Sequence, residues 1–209
     1  MSFRGWPVEA VEFYDGLEAD NSKVYWQRHR DTYDECVRGP MEELLNELAG
    51  EFGIGKIFRP YRDVRFSADK TPYKTNCAAT LGSGVAPRYI SFSADGLSVG
   101  GGLYMPEPAA LARYRAAVQK EKSGAELAVI VGTLRRAGYE TMAHEVLKTA
   151  PRGIDKDHPR IELLRHKGIA VMKNWPIAAW LGTAKAKDRI VGALRDAEPL
   201  HGWLTRYVG

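Results

Sequence analysis

Residues 89–103 read YISFSADGLSVGGGL, and this stretch decides the fold class. Residues 89–93 alternate between apolar and polar side chains, which is typical of a half-buried strand. Asp95 and Gly96 follow at once, and Asp-Gly is among the strongest short-range signals for a hairpin turn. The run of three glycines at 100–102 would weaken the return strand. We therefore expect a bulge there, or the close approach of another backbone or a ligand.

Helical patterns lie on both sides of this hairpin. Apolar residues recur at intervals of three and four before it, most clearly at Met41, Leu44, Leu45, Leu48 and Phe52. We predict one α+β domain over residues 1–209, with helices packed on an antiparallel sheet. Its parts are N-terminal helices at 8–52, a sheet-forming core at 56–105 and a mostly helical C-terminal half at 107–205.

Some finer expectations follow from local patterns. Alternation predicts a strand at 63–66, and Ser123 with Glu126 resembles the capping box of a helix start. The Trp175-Pro176 pair predicts the start of another helix, because proline suits the first helical turn. A final helix is expected at 187–204.

Composition excludes two broad classes of protein. The 209 residues are 44% hydrophobic and 27% charged, values that a disordered chain does not have. No apolar run approaches the roughly 18–20 residues that a membrane-spanning helix needs. The first residues lack a hydrophobic leader, and Cys36 and Cys77 make no disulfide framework. These features predict a cytoplasmic protein with no membrane partner.

The net charge of +4 belongs to one segment, residues 56–75, which read KIFRPYRDVRFSADKTPYKT. We call this segment the basic motif. It holds six of the 30 lysines and arginines but only two of the 26 acidic residues, so the rest of the chain carries 24 charges of each sign. The motif also contains Phe58, Tyr61, Phe66 and Tyr73, which distinguishes it from a solvated lysine tail.

The basic motif resembles the signature of a family found in bacteria and fungi, domain of unknown function 2461. The resemblance covers nearly the whole chain. It extends to Phe13-Tyr14 and Trp26, to residues 89–92 with the glycines at 100–102, and to residues 151–159 with 163–165. It implies a single α+β domain, but it brings no established activity and therefore transfers no catalytic residue.

The types of residue in the motif predict an anion site. Arginine forks match phosphate or carboxylate, lysines add point charge, and tyrosines can stack on a base or donate a hydrogen bond. The predicted anion-binding residues are Arg59, Arg62, Arg65, Lys70, Tyr73 and Lys74. The alternative is structural: the same arginines would form ion pairs with Asp63, with Asp69 and with acidic helices.

Two hypotheses for function stay open at this point. The motif either binds or acts on a nucleotide or nucleic acid, or it docks an acidic protein partner without chemistry. If chemistry occurs, Arg62 and Arg65 would stabilise developing charge, and Asp63 or His158 would serve as acid and base. We assign no metal ligand, and the sequence leaves the identity of any cofactor unknown.

Two other motifs are weaker evidence for a function. Ser67-x-x-Lys70 matches a serine acyltransferase pattern, but Pro72 and Asn76 break its context. Asp155, Asp157 and His158 form a metal-like cluster, which we expect instead to be a polar loop that caps the following helix.

Overall fold

The structure is a computed structural model, and it describes residues 2–63, 65 and 69–209. The helices are α1 (Val8–Ala19), α2 (Lys23–Arg28), α3 (Arg30–Thr32), a π-helical segment (Tyr33–Arg38), α4 (Gly39–Phe52), α5 (Pro108–Gln119), α6 (Glu121–Arg136), α7 (Ile161–Arg165), a 3₁₀ turn (Ala179–Gly182), α8 (Lys185–Asp196) and α9 (Glu198–Tyr207). The strands are β1 (Gly55–Ile57), β2 (Asn76–Leu81), β3 (Arg88–Ser93), β4 (Gly96–Leu103), β5 (Glu140–Met142) and β6 (Ile169–Pro176).

The strands form one antiparallel sheet in the order β1-β2-β3-β4-β6-β5. At one edge Gly55 lies opposite Leu81, and at the other edge Glu140 lies opposite Met172. The predicted α+β class is therefore confirmed. None of the helices in the described part of the chain has the length and hydrophobicity that crossing a bilayer requires.

The chain divides into two compact units. The first unit comprises residues 1–82, 89–98 and 174–192, and the second comprises 83–88, 99–173 and 193–209. Strands β4 and β6 each contribute residues to both units.

The first unit is built around aromatic side chains and helix α4. Trp6 stacks on Phe92 with ring centroids 4.8 Å apart. Helix α4 contacts β1 and β2, and it buries the apolar stripe that the sequence predicted: Met41, Leu44, Leu45, Leu48 and Phe52. Burying such a stripe against a sheet removes apolar area from water, and this burial is the main force that holds the helix there.

The second unit packs α5 against α6, α7 and α9. Tyr114 and Trp203 are fully buried at its centre, with ring centroids 6.2 Å apart. Each satisfies its polar atom on backbone: the Tyr114 hydroxyl donates to the Leu163 carbonyl, and Trp203 Nε1 donates to the Ser123 carbonyl, both at 2.9 Å. Large rings with one polar atom fit a core only when such a partner is present.

The glycine run in β4 is explained by a neighbouring backbone. A Cβ at Gly100 would overlap the carbonyl oxygen of Val171 in β6, and a Cβ at Gly102 would lie 2.5 Å from the carbonyl oxygen of Ile169. Gly102 also has φ 133°, which other residues rarely adopt. Of the two reasons expected for this run, the close approach of a second strand accounts for it.

Local patterns misplaced three helix boundaries. Helix α6 begins at Glu121, so Ser123 lies inside its first turn, where the buried hydroxyl donates to the Ala117 carbonyl at 2.6 Å. Residues 175 and 176 extend β6, where their backbone lies close against Gly96 of β4, and only a 3₁₀ turn follows. The last helix is two helices, divided at Ala197, because Pro199 suits a first turn and lacks the N–H that a helix interior needs.

Candidate anion-binding site

Within the described residues of the basic motif, the part near Tyr61 pairs with the part near Tyr73. Tyr61 and Tyr73 form an isolated antiparallel bridge, in which Arg62 N donates to the Pro72 carbonyl at 2.9 Å and Lys74 N donates to the Pro60 carbonyl at 2.8 Å. The first two residues of the motif lie in β1, which pairs with β2, the strand that follows the motif. Of the strand predicted at 63–66, residues 64 and 66 lie outside the described residues, as does Ser67, and Asp63 and Arg65 are not in a strand.

Tyr73 anchors the basic motif to Asn21 and to helix α2. The Asn21 side chain accepts from Tyr73 N at 3.0 Å and donates to the Tyr73 carbonyl at 3.1 Å. Its side-chain amide therefore bonds both backbone polar groups of Tyr73, as a neighbouring strand would. The Tyr73 ring is buried and stacks in parallel on Trp26, with centroids 4.4 Å apart. The sequence predicted Tyr73 as a ligand-binding residue, but its ring and its backbone are already engaged in holding the loop.

Two of the predicted anion-binding arginines have carboxylate partners within the motif. Arg65 donates through Nε and Nη2 to the two oxygens of Asp63, at 2.9 and 2.7 Å. Arg62 donates through Nη1 to Asp69 and through Nε to the Tyr73 carbonyl at 3.0 Å. Both arginines thus form the structural ion pairs that were the alternative to an anion site. Arg62 also helps to join the two paired parts of the motif.

These partners stabilise the charged form of each carboxylate. The pKa of Asp63 is lowered, first by the side chain of Arg65 and then by the Arg65 backbone N–H. The pKa of Asp69 is lowered chiefly by the backbone N–H and hydroxyl of Thr71, with a smaller effect from Arg62. Both carboxylates are therefore held as anions near neutral pH.

Lys74 lies near the positive charges of two arginines, one of which, Arg62, is also paired with Asp69. The pKa of Lys74 is lowered by its partial burial and, after that, by the positive charges of Arg59 and Arg62. Its Nζ lies 5.4 Å from the centre of the Phe58 ring, a cation–π arrangement. Arg59 is exposed, as is Lys70. Arg59, Arg62 and Lys74 thus bring three positive charges to one patch, which we call the cationic patch.

Two aromatic rings are exposed beside the cationic patch. Phe58 is 38% exposed and Tyr61 is 46% exposed, whereas most large apolar side chains of this unit are buried. The Tyr61 ring packs against the buried ring of Trp26, with centroids 6.0 Å apart, and this contact fixes its position. The patch therefore presents positive charge and flat apolar surface together.

The two acid–base candidates are not equally placed. Both oxygens of Asp63 accept from Arg65, and a carboxylate of lowered pKa is a weak proton acceptor. His158 belongs to the second unit, where its Nδ1 accepts from Arg160 N at 3.1 Å just before α7. The N-cap of α7 is Arg160 and no side chain of a described residue caps the helix, so the expected capping by Asp157 and His158 is wrong, and the His158 contact closes the turn before α7.

The metal-like cluster of Asp155, Asp157 and His158 forms a hydrogen-bonded turn. Asp155 accepts from the Asp157 backbone N–H at 2.9 Å, and its carbonyl accepts from His158 N at 3.2 Å. Across residues 2–63, 65 and 69–209, no group of three or more His, Cys, Asp or Glu is arranged to hold a metal ion.

Asn21 and Trp26 position the site, and neither was predicted to do so from the sequence. Asn21 reads as a helix-capping residue, but Ser22 is the cap of α2, and its hydroxyl accepts from Tyr25 N at 3.1 Å. Trp26 reads as an ordinary core residue, and no local pattern links it to Tyr73, 47 positions later. Contacts between such distant positions depend on the tertiary fold.

Replacing Asn21 by alanine is expected to destabilise the protein by about 1–3 kcal/mol, because it removes two hydrogen bonds and leaves the Tyr73 N–H without its partner. Urea denaturation followed by tryptophan fluorescence measures this loss. Asn46→Ala, on the exposed side of α4, is the matched control, and we expect it to change stability by less than about 0.5 kcal/mol. Equal unfolding midpoints for the two variants would contradict the anchoring role of Asn21.

Comparison with known proteins agrees with the family resemblance noted from the sequence. No curated protein matches the chain significantly. One family model does match, and it covers residues 9–203, which is nearly the full length. The chain therefore belongs to the family described as conserved hypothetical protein (DUF2461).

Proposed function

We propose that the basic motif binds the phosphate groups of a nucleotide or nucleic acid through the cationic patch. The observation that carries this proposal is the grouping of Arg59, Arg62 and Lys74 beside two exposed aromatic rings; burial lowers the pKa of Lys74, and the two arginines add to that effect. Like charges held close together destabilise each other, and a bound anion offsets that repulsion. Phosphate suits the patch because arginine and lysine both bind it through charge-assisted hydrogen bonds.

The exposed rings support a nucleic-acid ligand with accessible bases. Phe58 and Tyr61 stand beside the cations, and stacking on aromatic side chains contributes about 1–3 kcal/mol per base. Duplex bases are already stacked on one another, so this contribution is available mainly to single strands. We therefore expect the motif to prefer single-stranded RNA or DNA over duplexes.

An acidic protein partner is the second candidate. The ion pairs Arg62–Asp69 and Arg65–Asp63 place charges of both signs on the exposed loop, and mixed charge is suited to setting the register of a protein interface. This candidate requires neither stacking nor phosphate.

Fluorescence anisotropy with labelled single- and double-stranded DNA and RNA tests the proposal, with ATP titrated by calorimetry and polyglutamate as the acidic-peptide comparison. We expect single strands to bind best. Their log K should fall with log salt at a slope of about −2, since each phosphate contact contributes about −0.7. No binding to any nucleic acid or nucleotide at low salt would overturn the proposal. Polyglutamate binding as tightly as single-stranded RNA would favour the protein partner.

We also place this activity in the cytoplasm. Cys36 and Cys77 are free thiols, as a reducing compartment allows. Cys77 is buried, and burial raises the pKa of its thiol to about 12, so it stays protonated and unreactive.

A further inference from the structure

The second unit contains a cavity that the basic motif does not use. Its volume is about 530 Å³, within the range of about 300–1,000 Å³ typical of small-molecule sites. Its walls come from Gly84, Val85 and Pro87, the end of β4, the turn at 104–107 and the first half of α5. We infer that this cavity binds a small carboxylic acid with an apolar body, and that Arg113 holds the carboxylate.

The walls are mostly apolar. Val85, Pro87 and Leu103 line the cavity, together with Tyr104 and Met105. Tyr104 is 44% exposed and Met105 is 68% exposed, although both are large apolar residues. Exposed apolar surface that is also concave is typical of a ligand site, because a ligand removes that surface from water.

Tyr104 is held in place by His144, which does not line the cavity. The backbone N–H of His144 donates to the Tyr104 carbonyl at 3.3 Å, and the two rings meet edge to face with centroids 5.7 Å apart. A positioned ring provides a fixed wall for the apolar part of a ligand.

Arg113 supplies the charge. It lines the cavity, and its Nε donates to the Val208 carbonyl at 2.7 Å, which orients the guanidinium group. Its two Nη atoms have no hydrogen-bond or ion-pair partner among the residues that the structure describes. An oriented guanidinium with both terminal nitrogens available matches a carboxylate through two parallel hydrogen bonds.

Glu107 lines the same cavity and determines which acids fit best. Its carboxylate has no hydrogen-bond donor within the described part of the chain, so it can accept from an ammonium group on the ligand. An α-amino acid and a simple aryl acid share the carboxylate and the apolar body, and they differ in this one group. Comparing the two therefore separates the role of Glu107 from that of Arg113.

Saturation-transfer NMR and calorimetry with four probes test the inference: phenylpropanoate, L-phenylalanine, phenylpropanol and phenylpropylamine. We expect at least one of the two carboxylates to bind with a Kd below about 1 mM. The neutral alcohol, which lacks the carboxylate, should bind at least about tenfold more weakly. Tighter binding of L-phenylalanine than of phenylpropanoate would assign the ammonium to Glu107. The inference is overturned if neither carboxylate binds, or if the alcohol binds equally well.

Variants locate the binding. Arg113→Gln should weaken carboxylate binding about tenfold, and Ala109→Trp should abolish it by filling the cavity. Arg136→Gln is the matched control, since Arg136 is an exposed arginine on α6 that bonds to Thr133. Chemical shifts of Gly102 and Tyr104 in the unmodified protein give a second measurement that needs no variant. Binding that survives both cavity variants, or that leaves these shifts unmoved, would contradict the site.

This inference stands apart from the proposed function. Charge reversal in the cationic patch, at Arg59 and Lys74, should leave carboxylate binding unchanged because the patch belongs to the other unit.

Discussion

Replacing Arg59 and Lys74 together by glutamate is expected to lower the affinity for single-stranded RNA by about 100-fold or more at low salt. The two substitutions remove two of the three charges of the cationic patch and place two anions beside Arg62. Anisotropy titrations at several salt concentrations measure the effect. The slope of log K against log salt should become less steep by about 1.4, because two phosphate contacts are lost.

The control reverses the same number of charges elsewhere in the same unit. Lys23→Glu with Arg28→Glu changes two exposed basic residues of α2 and leaves the motif intact. We expect this control to bind RNA within about threefold of the unmodified protein, through long-range electrostatics alone. Equal losses for the two double variants would mean that net charge, and not the patch, attracts the ligand.

Replacing Trp26 by alanine is expected to destabilise the protein by about 3–5 kcal/mol. Trp26 is 4% exposed, and its ring meets the rings of Phe13, Tyr33, Tyr61 and Tyr73. Its removal leaves a cavity under the bridge that closes the basic motif. RNA affinity should therefore fall as well, even at low temperature where the fold persists. Denaturant unfolding and anisotropy on the same preparation measure the two effects.

Trp26→Phe separates stacking from volume. Trp26 Nε1 is buried without a hydrogen-bond partner among the described residues, so removing this N–H relieves an unfavourable burial. We expect phenylalanine to retain the contact with Tyr73 and to cost less than about 2 kcal/mol, with RNA binding preserved. A phenylalanine variant as unstable as the alanine variant would show that ring stacking on Tyr73 does not support the motif.

The fold class was predictable because its signals are local. The alternation at 89–93 with its Asp-Gly turn became the β3–β4 hairpin, and the stripe from Met41 to Phe52 became the buried face of α4. The predicted helix boundaries were wrong where tertiary contacts outweighed the local conformational preference of the chain. Strand β6 continues through Pro176 against Gly96 of β4, and α6 begins at Glu121, two positions before Ser123, the expected cap.

The candidate site was predictable in position and not in detail. Charge counting alone located the basic motif, and Arg59, Arg62 and Lys74 do come together there. The charge count did not distinguish Arg65, which pairs with Asp63, from Arg59, which is exposed and whose positive charge contributes to lowering the pKa of Lys74. It also assigned Tyr73 to the ligand, although Tyr73 is buried against Trp26. Which charges pair depends on distances of a few ångströms that composition does not contain.

By itself, the sequence determined the α+β class, the family and the segment that holds all of the net positive charge. These properties depend on composition and on neighbours along the chain, which are present before folding. The tertiary structure alone decided that Asn21 and Trp26 anchor the motif, and that Arg113 faces an apolar cavity. Those contacts join residues far apart in sequence, and only the packing of helices against the sheet brings such residues within hydrogen-bonding or stacking distance.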